Sequence, residues 1–354
     1  MRMQEDSLHE QLHSLRKTDF ADTQCSAIAS MSKEDKYALN VMERCVTFEN
    51  GHYVMPLMWR PGASELPCNR NMAFNRLASL KRRLQRDQDL RRSYVETVQN
   101  YIENDYAREV PVESIPCDVV WYLLHNAVKH PRKGKVRVVF DCSAKTKGLS
   151  LNDVLLQGPD LANSLVGVLL RFRMEPVASV SDIASMFHQI RVDQKEYDAL
   201  RFLWWPNGDL NAEPTDHQML VHLFGSTSSP SIANFCLRPV ADDFGEAFDA
   251  ETTETVRRNF YVDDLLRTVA TEDAAVRLVS QLCSLLKRGG FQLTKWPSNN
   301  RNAIASIPVE ERSTSASLDL NPDLTERVLG VRWNVNNDLF GFKICTTLPT
   351  KSYS

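Results

Sequence analysis

The 354-residue sequence lacks the features that mark several large classes of protein. Its eight cysteines are spread singly, with no C-x-x-C pair and no histidine at zinc spacing. They therefore predict small buried side chains in a reducing compartment rather than a zinc site. The first residues are polar, unlike a secretory signal, and the longest apolar run, around Leu165 to Leu170, is far too short to cross a bilayer. These absences predict a cytoplasmic protein without membrane contact.

An excess of basic charge is also missing. The net charge is −3, so any surface for nucleic acid must be local. One helical region has such a local pattern, because Leu77, Leu80 and Leu84 form an apolar stripe. Basic residues cover the opposite side of this region, namely Lys81, Arg82, Arg83, Arg86, Arg91 and Arg92. Two interpretations stay open for them: a solvated helix face, or a contribution to a nucleic-acid groove.

Short apolar runs mixed with helical periodicities predict an α+β fold, because strict alternation of strands and helices is missing. Strands are predicted at 136–140 and 177–180, with an apolar–turn–apolar pattern around Asp263 and Asp264. Helices are predicted at 183–190 and 231–248, and another with Leu278 to Leu286 ends at Gly289-Gly290. Residues 297–325 predict an exposed linker, and 328–333 with 339–344 predict a closing strand pair.

Three carboxylates stand out by their positions. Asp182 follows an apolar strand, and Asp263 and Asp264 are adjacent in a predicted turn between two apolar runs. Two-residue hairpin turns favour Asn-Gly or Asp-Gly, so a pair of aspartates there is unusual. Like charges in one site repel unless a cation offsets them, and Mg²⁺ prefers carboxylate oxygens. Two such ions about 3.5–4 Å apart can stabilise both oxygens of a phosphoryl displacement.

The context of these aspartates resembles a known family. Tyr261-Val262-Asp263-Asp264 resembles the Y-x-D-D box of reverse transcriptases, and Asp182-Ile-Ala-Ser-Met-Phe187 resembles their first metal-binding motif. The resemblance implies that Asp182, Asp263 and Asp264, with the backbone carbonyl of Ile183, hold two Mg²⁺ ions, for which Mn²⁺ can substitute. It also implies that Tyr261 lies at the nucleotide and that Phe187 excludes a 2′-hydroxyl by volume.

Further motifs of the family follow in the expected order. Arg137-Val-Val-Phe-Asp141 resembles the strand of the fingers whose arginine binds the triphosphate, and Lys135 belongs to the basic run before it. Phe224-Gly225-Ser-Thr-Ser-Ser229-Pro230 resembles the segment that lines the nucleotide site, although many relatives have Gln where this chain has Phe224. Gly225 would allow close approach of the backbone.

Two motifs near the carboxyl end complete the pattern. Gly290-Phe-Gln-Leu-Thr-Lys295-Trp296 resembles the segment whose lysine lies near the leaving pyrophosphate, which makes Lys295 a candidate general acid, with an exposed structural lysine as the alternative. Leu329-Gly330-Val-Arg-Trp333 resembles the primer grip, so Leu329, Gly330 and Trp333 are expected to contact the primer strand.

The strings LSLNDVLLQGPDL, LLRFR, SDIASMFHQIRV and GGFQLTKWPSN are similar to the BEL/Pao group of LTR retrotransposons. The resemblance implies the fingers and palm of a right-hand polymerase, with an antiparallel palm sheet backed by helices and with the thumb and RNase H missing. The domain prediction is an N-terminal extension at 1–70, fingers at 71–175, palm at 176–300, and a linker with the primer-grip hairpin at 301–354.

The activity implied is that of an RNA-directed DNA polymerase, which adds dNTPs to a primer 3′-hydroxyl on an RNA or DNA template. Other segments of a parent polyprotein are the expected partners, and virus-like particles in the cytoplasm are a candidate location. No D-[ST]-G motif of an aspartic protease is present. Two alternatives stay open: a non-catalytic, truncated retrotransposon fragment that at most binds nucleic acid, and a metal-dependent nuclease or phosphatase using the same carboxylates.

Overall fold

The computed structural model describes residues 31–63, 65–111, 113, 119–129, 136–307, 312, 325–329 and 331–341. Its helices are α1 (Lys33–Cys45), α2 (Arg70–Arg86), α3 (Gln88–Glu103), α4 (Leu151–Val154), α5 (Leu165–Arg171), α6 (Ser229–Leu237), α7 (Val240–Asp243), α8 (Ala250–Arg258), α9 (Glu272–Arg288) and α10 (Arg301–Ala305). Short 3₁₀ helices cover Met186–Gln189, Gln194–Leu200, Pro206–Gly208 and Gly245–Ala247. None of the described helices has the length and hydropathy needed to span a bilayer.

The strands form small sheets. They are β1 (Thr47–Glu49), β2 (His52–Met55), β3 (Ala107–Glu109), β4 (Leu124–Lys129), β5 (Val136–Asp141), β6 (Val177–Ile183), β7 (Arg191–Val192), β8 (Arg201–Trp204), β9 (Thr215–Met219), β10 (Phe260–Tyr261), β11 (Asp264–Val269), β12 (Leu293–Thr294), β13 (Thr325–Val328), β14 (Val331–Asn334) and β15 (Leu339–Gly341). The sheet orders are β1-β2-β7, β3-β9-β8, β4-β5, β10-β11-β6-β12 and β13-β14-β15. The fold is therefore mixed α/β with small antiparallel sheets, apart from the parallel pair β2 and β7.

The chain divides into two compact units. The first comprises Met1–Leu161 and Ser185–Leu237, and the second comprises Ala162–Ala184 and Arg238–Ser354. The three aspartates of the predicted metal site belong to the second unit, whereas Arg137, Phe187 and Gly225 belong to the first. The predicted ranges 1–70, 71–175, 176–300 and 301–354 stay a prediction.

The core of the first unit forms around α2 and α3. The predicted apolar stripe is confirmed, since Leu77, Leu80 and Leu84 are all buried. Asp87 separates the two helices: its extended backbone ends α2, and its carboxylate accepts a hydrogen bond from the Leu90 amide, which caps α3. Large aromatic side chains complete this core, among them Tyr94, Trp121, Phe140, Phe202 and Trp204.

The second unit is built on the sheet β10-β11-β6-β12, which buries both of its faces. Ala178, Val180 and Leu266 pack on one face with α5 and with Val328, Trp333 and Val335. On the other face Val177, Leu265 and Val269 meet Trp296 and the α9 residues Ala275, Leu278 and Leu282. This alternation follows from the two-residue period of a strand. The predicted helix end at Gly289 is confirmed as the C-cap of α9.

Two predicted helices are wrong in extent. The stretch at 231–248 breaks after Leu237 and resumes at Val240, because Pro239 has no amide proton to continue the helix. The stretch at 183–190 shortens to the 3₁₀ helix Met186–Gln189. The amides of Ile183 and Ala184 donate instead to the carbonyls of Asp263 and Gln292, so the chain stays extended there.

The predicted linker also needs correction, whereas the closing strand pair is confirmed, except that its first strand begins at Val331 and Val328 ends the preceding strand β13. Residues 301–305 form α10, which buries Ala303 and Ile304 instead of lying in an exposed linker. The closing hairpin pairs β14 with β15, and β13 adds a further strand to it. Residues 308–311, 313–324 and 342–344 lie outside the described residues.

Candidate active site

Four residues form a row across the sheet of the second unit, one on each strand. Asp264 at the start of β11 lies opposite Asp182 near the end of β6. Tyr261 of β10 lies opposite Asp264, and Thr294 of β12 lies opposite Asp182. Directly opposed residues of antiparallel strands project to the same face, with Cβ atoms about 5 Å apart. The fold therefore brings Asp182 and Asp264, which are far apart in the chain, to one face.

The turn between β10 and β11 consists of Val262 and Asp263, since Tyr261 and Asp264 already pair. The prediction of a turn made of both aspartates is therefore wrong, because Asp264 is the first residue of β11. Val262 has a φ of 57°, a left-handed conformation that is unfavourable for a β-branched residue. The carbonyl of Asp263 accepts a hydrogen bond of 2.9 Å from the amide of Ile183, which ties the turn to β6.

The electrostatics of the site follow from burial and from crowding of like charges. Burial raises the pKa of Asp264 to about 7, with further contributions from the charges of Asp263 and Asp182. Burial and the charge of Asp182 also raise the pKa of Asp263. The charge of Lys295 acts in the opposite direction on both groups. The site thus holds more negative charge than its surroundings favour.

Lys295 neutralises part of that charge directly. Its ammonium donates to the Asp182 carboxylate at 2.8 Å, although the lysine side chain is 65% exposed and that of Asp182 is 28% exposed. Lys295 has a φ of 56°, and the preceding Thr294 donates its hydroxyl to the Asp182 carbonyl at 3.3 Å. Ser181 also bonds to the Thr294 carbonyl at 2.9 Å. Hydrogen bonds of Thr294 with Ser181 and Asp182 therefore hold the end of β12 against β6.

The donor chemistry suits a divalent cation. Carboxylate oxygens are the ligands that Mg²⁺ prefers, and a cation would offset the repulsion that raises the pKa of Asp263 and Asp264. Within the described ranges, however, no three His, Cys, Asp or Glu side chains form a group that could hold a metal ion. The Lys295 ammonium engages the Asp182 carboxylate, so a cation that uses this carboxylate has to compete with it.

The predicted primer-grip residues Leu329 and Trp333 lie in the segment that packs on the face of the sheet carrying Asp182. Trp333 is fully buried, packs edge-on against Phe172 at 5.3 Å and donates its indole N–H to Asp338 at 2.8 Å. Leu329 and Tyr261 pack at the margin of this apolar cluster. Trp333 is thus a core residue that positions the hairpin. Gly330 lies outside the described residues, and the proposed contact with a primer stays a prediction.

The remaining candidates lie in the first unit. The side chain of Arg137 is exposed on β5 and forms no hydrogen bond or ion pair with any residue that the structure describes. Lys135 lies outside the described residues. Phe187 is 9% exposed, and its ring packs on Phe224 at 4.4 Å between centroids, whereas Phe224 is 52% exposed. The residue that departs from the family pattern therefore covers the candidate sugar gate.

Gly225 is held tightly where the sequence predicted a close approach of the backbone. Its φ is 106°, and a Cβ there would lie 2.4 Å from the carbonyl oxygen of Phe140. Asn152, which the sequence analysis did not single out, donates to the Gly225 carbonyl at 2.9 Å and accepts from the Thr227 amide at 3.0 Å. Thr294 and Ser181 were missed in the same way. Their partners lie far away in the chain, so no local pattern identifies them.

Comparisons with known proteins add little at the level of sequence. No family model matches the chain, and no match is found among curated proteins. Among solved structures, the chain is similar to a foamy viral protease-reverse transcriptase dRH in complex with double-stranded DNA, with a TM-score of 0.41 and 14% identity. The match covers 55% of this chain and 28% of that one, so this chain spans well under two thirds of that protein.

Proposed function

We propose that this chain is the fingers and palm of an RNA-directed DNA polymerase that adds dNTPs to a primer 3′-hydroxyl. The observation that carries the proposal is the placement of Asp182 and Asp264 as cross-strand neighbours, with Asp263 in the adjoining turn. The raised pKa values of Asp263 and Asp264 add to it, because strongly perturbed carboxylates concentrate at functional sites.

The three carboxylates would hold two Mg²⁺ ions, and Mn²⁺ would substitute. When bound, such ions lower the pKa of an attacking hydroxyl and neutralise charge on the phosphates. The protein's own part is positioning. The row across the sheet fixes Asp182 and Asp264 on rigid strands, and the hydrogen bond between Asp263 and Ile183 fixes the turn. Lys295, released from Asp182, would supply a mobile ammonium for phosphate charge.

The roles proposed for the first unit rest on the sequence resemblance. Arg137 and Lys135 would bind the triphosphate, Phe187 would exclude a 2′-hydroxyl, and Gly225 would allow the backbone to approach the nucleotide. The exposure of Arg137 without a described carboxylate partner is compatible with an anionic ligand. An origin in a BEL/Pao-type retrotransposon polyprotein, and Leu329, Gly330 and Trp333 as a primer grip, belong to the same proposal.

The test is incorporation of dTTP on poly(rA)·oligo(dT) with Mg²⁺ or Mn²⁺. We expect Asp263→Asn to reduce incorporation by about 10²-fold or more, as is usual when a group stabilising transition-state charge is lost. Asp273→Asn is the matched control, because it makes the same change at an exposed carboxylate of the second unit. Equal incorporation by the wild type and Asp263→Asn would refute the assigned site.

The alternative is a non-catalytic protein that at most binds nucleic acid. The pairing of Asp182 with Lys295 favours it, together with the lack of a three-ligand group in the described part of the chain. This alternative predicts salt-dependent binding of the primer–template with no incorporation by a folded wild type. Incorporation that disappears in Asp263→Asn would exclude it.

A further inference from the structure

We propose that the outer face of α2 binds the sugar–phosphate backbone of a nucleic acid. This arginine face is defined by Arg76, Arg82, Arg83 and Arg86 and belongs to the first unit. It is argued from charge and exposure, and it does not depend on whether the carboxylates of the second unit catalyse a reaction.

The helix is basic throughout. Its sequence, RNMAFNRLASLKRRLQR, contains six lysines and arginines and no aspartate or glutamate, in a chain whose net charge is −3. At 3.6 residues per turn the four arginines fall within about 120° of the helix circumference. The buried residues Ala73, Leu77, Leu80 and Leu84 occupy another side, so the arginines face away from the core.

Among the residues that the structure describes, these arginines lack the carboxylate partners that neutralise other arginines of the protein. Arg76, Arg82 and Arg86 are exposed, and none forms an ion pair with a carboxylate of the described residues. By contrast, Arg257, Arg258 and Arg267 of the second unit pair with Asp242, Glu254 and Glu251. Within α2 itself, Arg70 pairs with Asp216 at the first turn. The unneutralised charge is therefore concentrated at the middle and end of α2.

The face is also anchored and oriented. Arg83 donates to the carbonyl of Ala127 on β4 at 3.1 Å, which fixes the last turns of α2 to the hairpin β4–β5. Arg82 donates to the hydroxyl of Ser79, which lies on the same face, at 3.1 Å. The guanidinium groups of Arg82 and Arg83 are thus restrained on the helix, so these two side chains lose less freedom when they bind a ligand.

The clustering of like charges on α2 fits a surface that binds a polyanion better than a helix face that contacts only solvent. Like charges at i,i+3 and i,i+4, as in Arg82, Arg83 and Arg86, destabilise a helix by about 0.2–0.5 kcal/mol per pair. A solvated helix avoids this by mixing signs, as α1 does with Lys33, Glu34, Asp35 and Lys36. From Arg76 to Arg86 the face is about 15 Å long. One nucleic-acid strand has a phosphate about every 3.4 Å along the duplex axis, so this length matches a few phosphates. Contacts of this kind carry no base specificity.

The experiment measures binding of a fluorescein-labelled rA·dT hybrid by anisotropy, in EDTA, over a range of salt concentrations. The test variant combines Arg76→Gln, Arg82→Gln and Arg86→Gln. The matched control combines Lys33→Gln, Lys36→Gln and Arg44→Gln, which removes the same charge from exposed positions on the mixed-sign helix α1. Arg83 is left unchanged because it bonds to β4. Thermal unfolding verifies that both variants stay folded.

We expect the slope of log Kobs against log salt to decrease in magnitude by about 2–3 in the test variant, since each phosphate contact contributes about 0.9. The control should keep the slope of the wild type. An unchanged slope in the test variant, an equal decrease in both variants, or no binding by the wild type would overturn the proposal. Asp263→Asn, measured in both assays, separates the two proposals, because it should keep the salt slope of the wild type and lose incorporation.

Discussion

Lys295 is a cation in direct contact with one of the three carboxylates, that of Asp182. Its ammonium bonds to Asp182 at 2.8 Å, and its charge opposes the rise in the pKa of Asp263 and Asp264. It therefore acts as a cation that the chain itself places at the site. A bound Mg²⁺ would compete with it for Asp182.

Replacing Lys295 with Met should have opposite effects with and without metal. In EDTA the stability should fall by about 1 kcal/mol or less, because the Lys295 side chain is 65% exposed and solvent screens the pair. With Mg²⁺ the variant should gain more stability than the wild type, since no ammonium competes. Thermal unfolding in EDTA and in Mg²⁺ measures both, and Lys295→Arg is the control that keeps the charge. An equal metal response in all three proteins would contradict the competition.

Val262 carries backbone strain in the turn between Tyr261 and Asp264. At a φ of 57°, any residue with a Cβ is disfavoured by about 1–2 kcal/mol. Val262→Gly should therefore be more stable than Val262→Ala by about 1 kcal/mol. At an ordinary extended or helical position the order is reversed. Urea unfolding of the two variants compares them, and greater stability of the alanine variant would mean that the turn does not have this conformation.

At the scale of elements, the turn before α6 is held against β5 by Gly225. A Cβ at Gly225 would lie 2.4 Å from the Phe140 carbonyl, whereas a Cβ at Gly148 would meet nothing within 4 Å. Both glycines have positive φ, at 106° and 87°. Comparing alanine substitutions at the two glycines therefore separates two contributions to the loss of stability: the steric overlap of the added Cβ and the strain of a positive φ.

Gly225→Ala should destabilise the protein more than Gly148→Ala, by about 1–3 kcal/mol, because overpacking adds to the dihedral strain. The free energy of unfolding in urea measures the difference. If nucleotide binding by this segment is as proposed, Gly225→Ala should also lower incorporation, while Gly148→Ala should not. Equal destabilisation by the two substitutions would show that the turn does not lie against the Phe140 carbonyl.

Whether an element is determined by local residues or by distant ones explains which elements the sequence predicts. Helices α2 and α9 have long apolar stripes and clear ends, so periodicity identifies them. The break at Pro239 has a local cause that is visible in the sequence, because a proline has no amide proton to continue the helix. The extended conformation of Ile183 and Ala184 has none, because it depends on hydrogen bonds to Asp263 and Gln292.

At the scale of the whole molecule, buried titratable groups of opposite effect should determine how stability varies with pH. Burial lowers the pKa of His125, His188 and His222 from 6.5 to about 4. The unfolded chain therefore binds more protons between these values, and stability falls as the pH falls from 6.5 towards 4. Asp264, raised from 3.8 to about 7, has the opposite effect, because protonating it between these values favours the folded state.

We expect a net loss of stability between pH 7.5 and pH 5.5, since each histidine contributes about 1 kcal/mol of loss. Asp264→Asn removes the opposing gain and should make the loss steeper. Urea unfolding at the two pH values measures both proteins. A wild type that becomes more stable at pH 5.5 would contradict the neutral burial of these histidines, and identical pH dependence in the variant would contradict the raised pKa of Asp264.

The sequence by itself determined the chemistry of the candidate groups: which residues are carboxylates, where the apolar stripes lie, and that any nucleic-acid surface must be local. Only the tertiary structure decided their arrangement. It placed Asp182 opposite Asp264, brought Lys295 to Asp182, and packed Phe224 over Phe187. It also left the arginine face of α2 without carboxylate partners among the described residues. The physical reason is that cross-strand register, burial and ion pairing join segments distant in the chain, whereas sequence periodicity reports only contacts within a few residues.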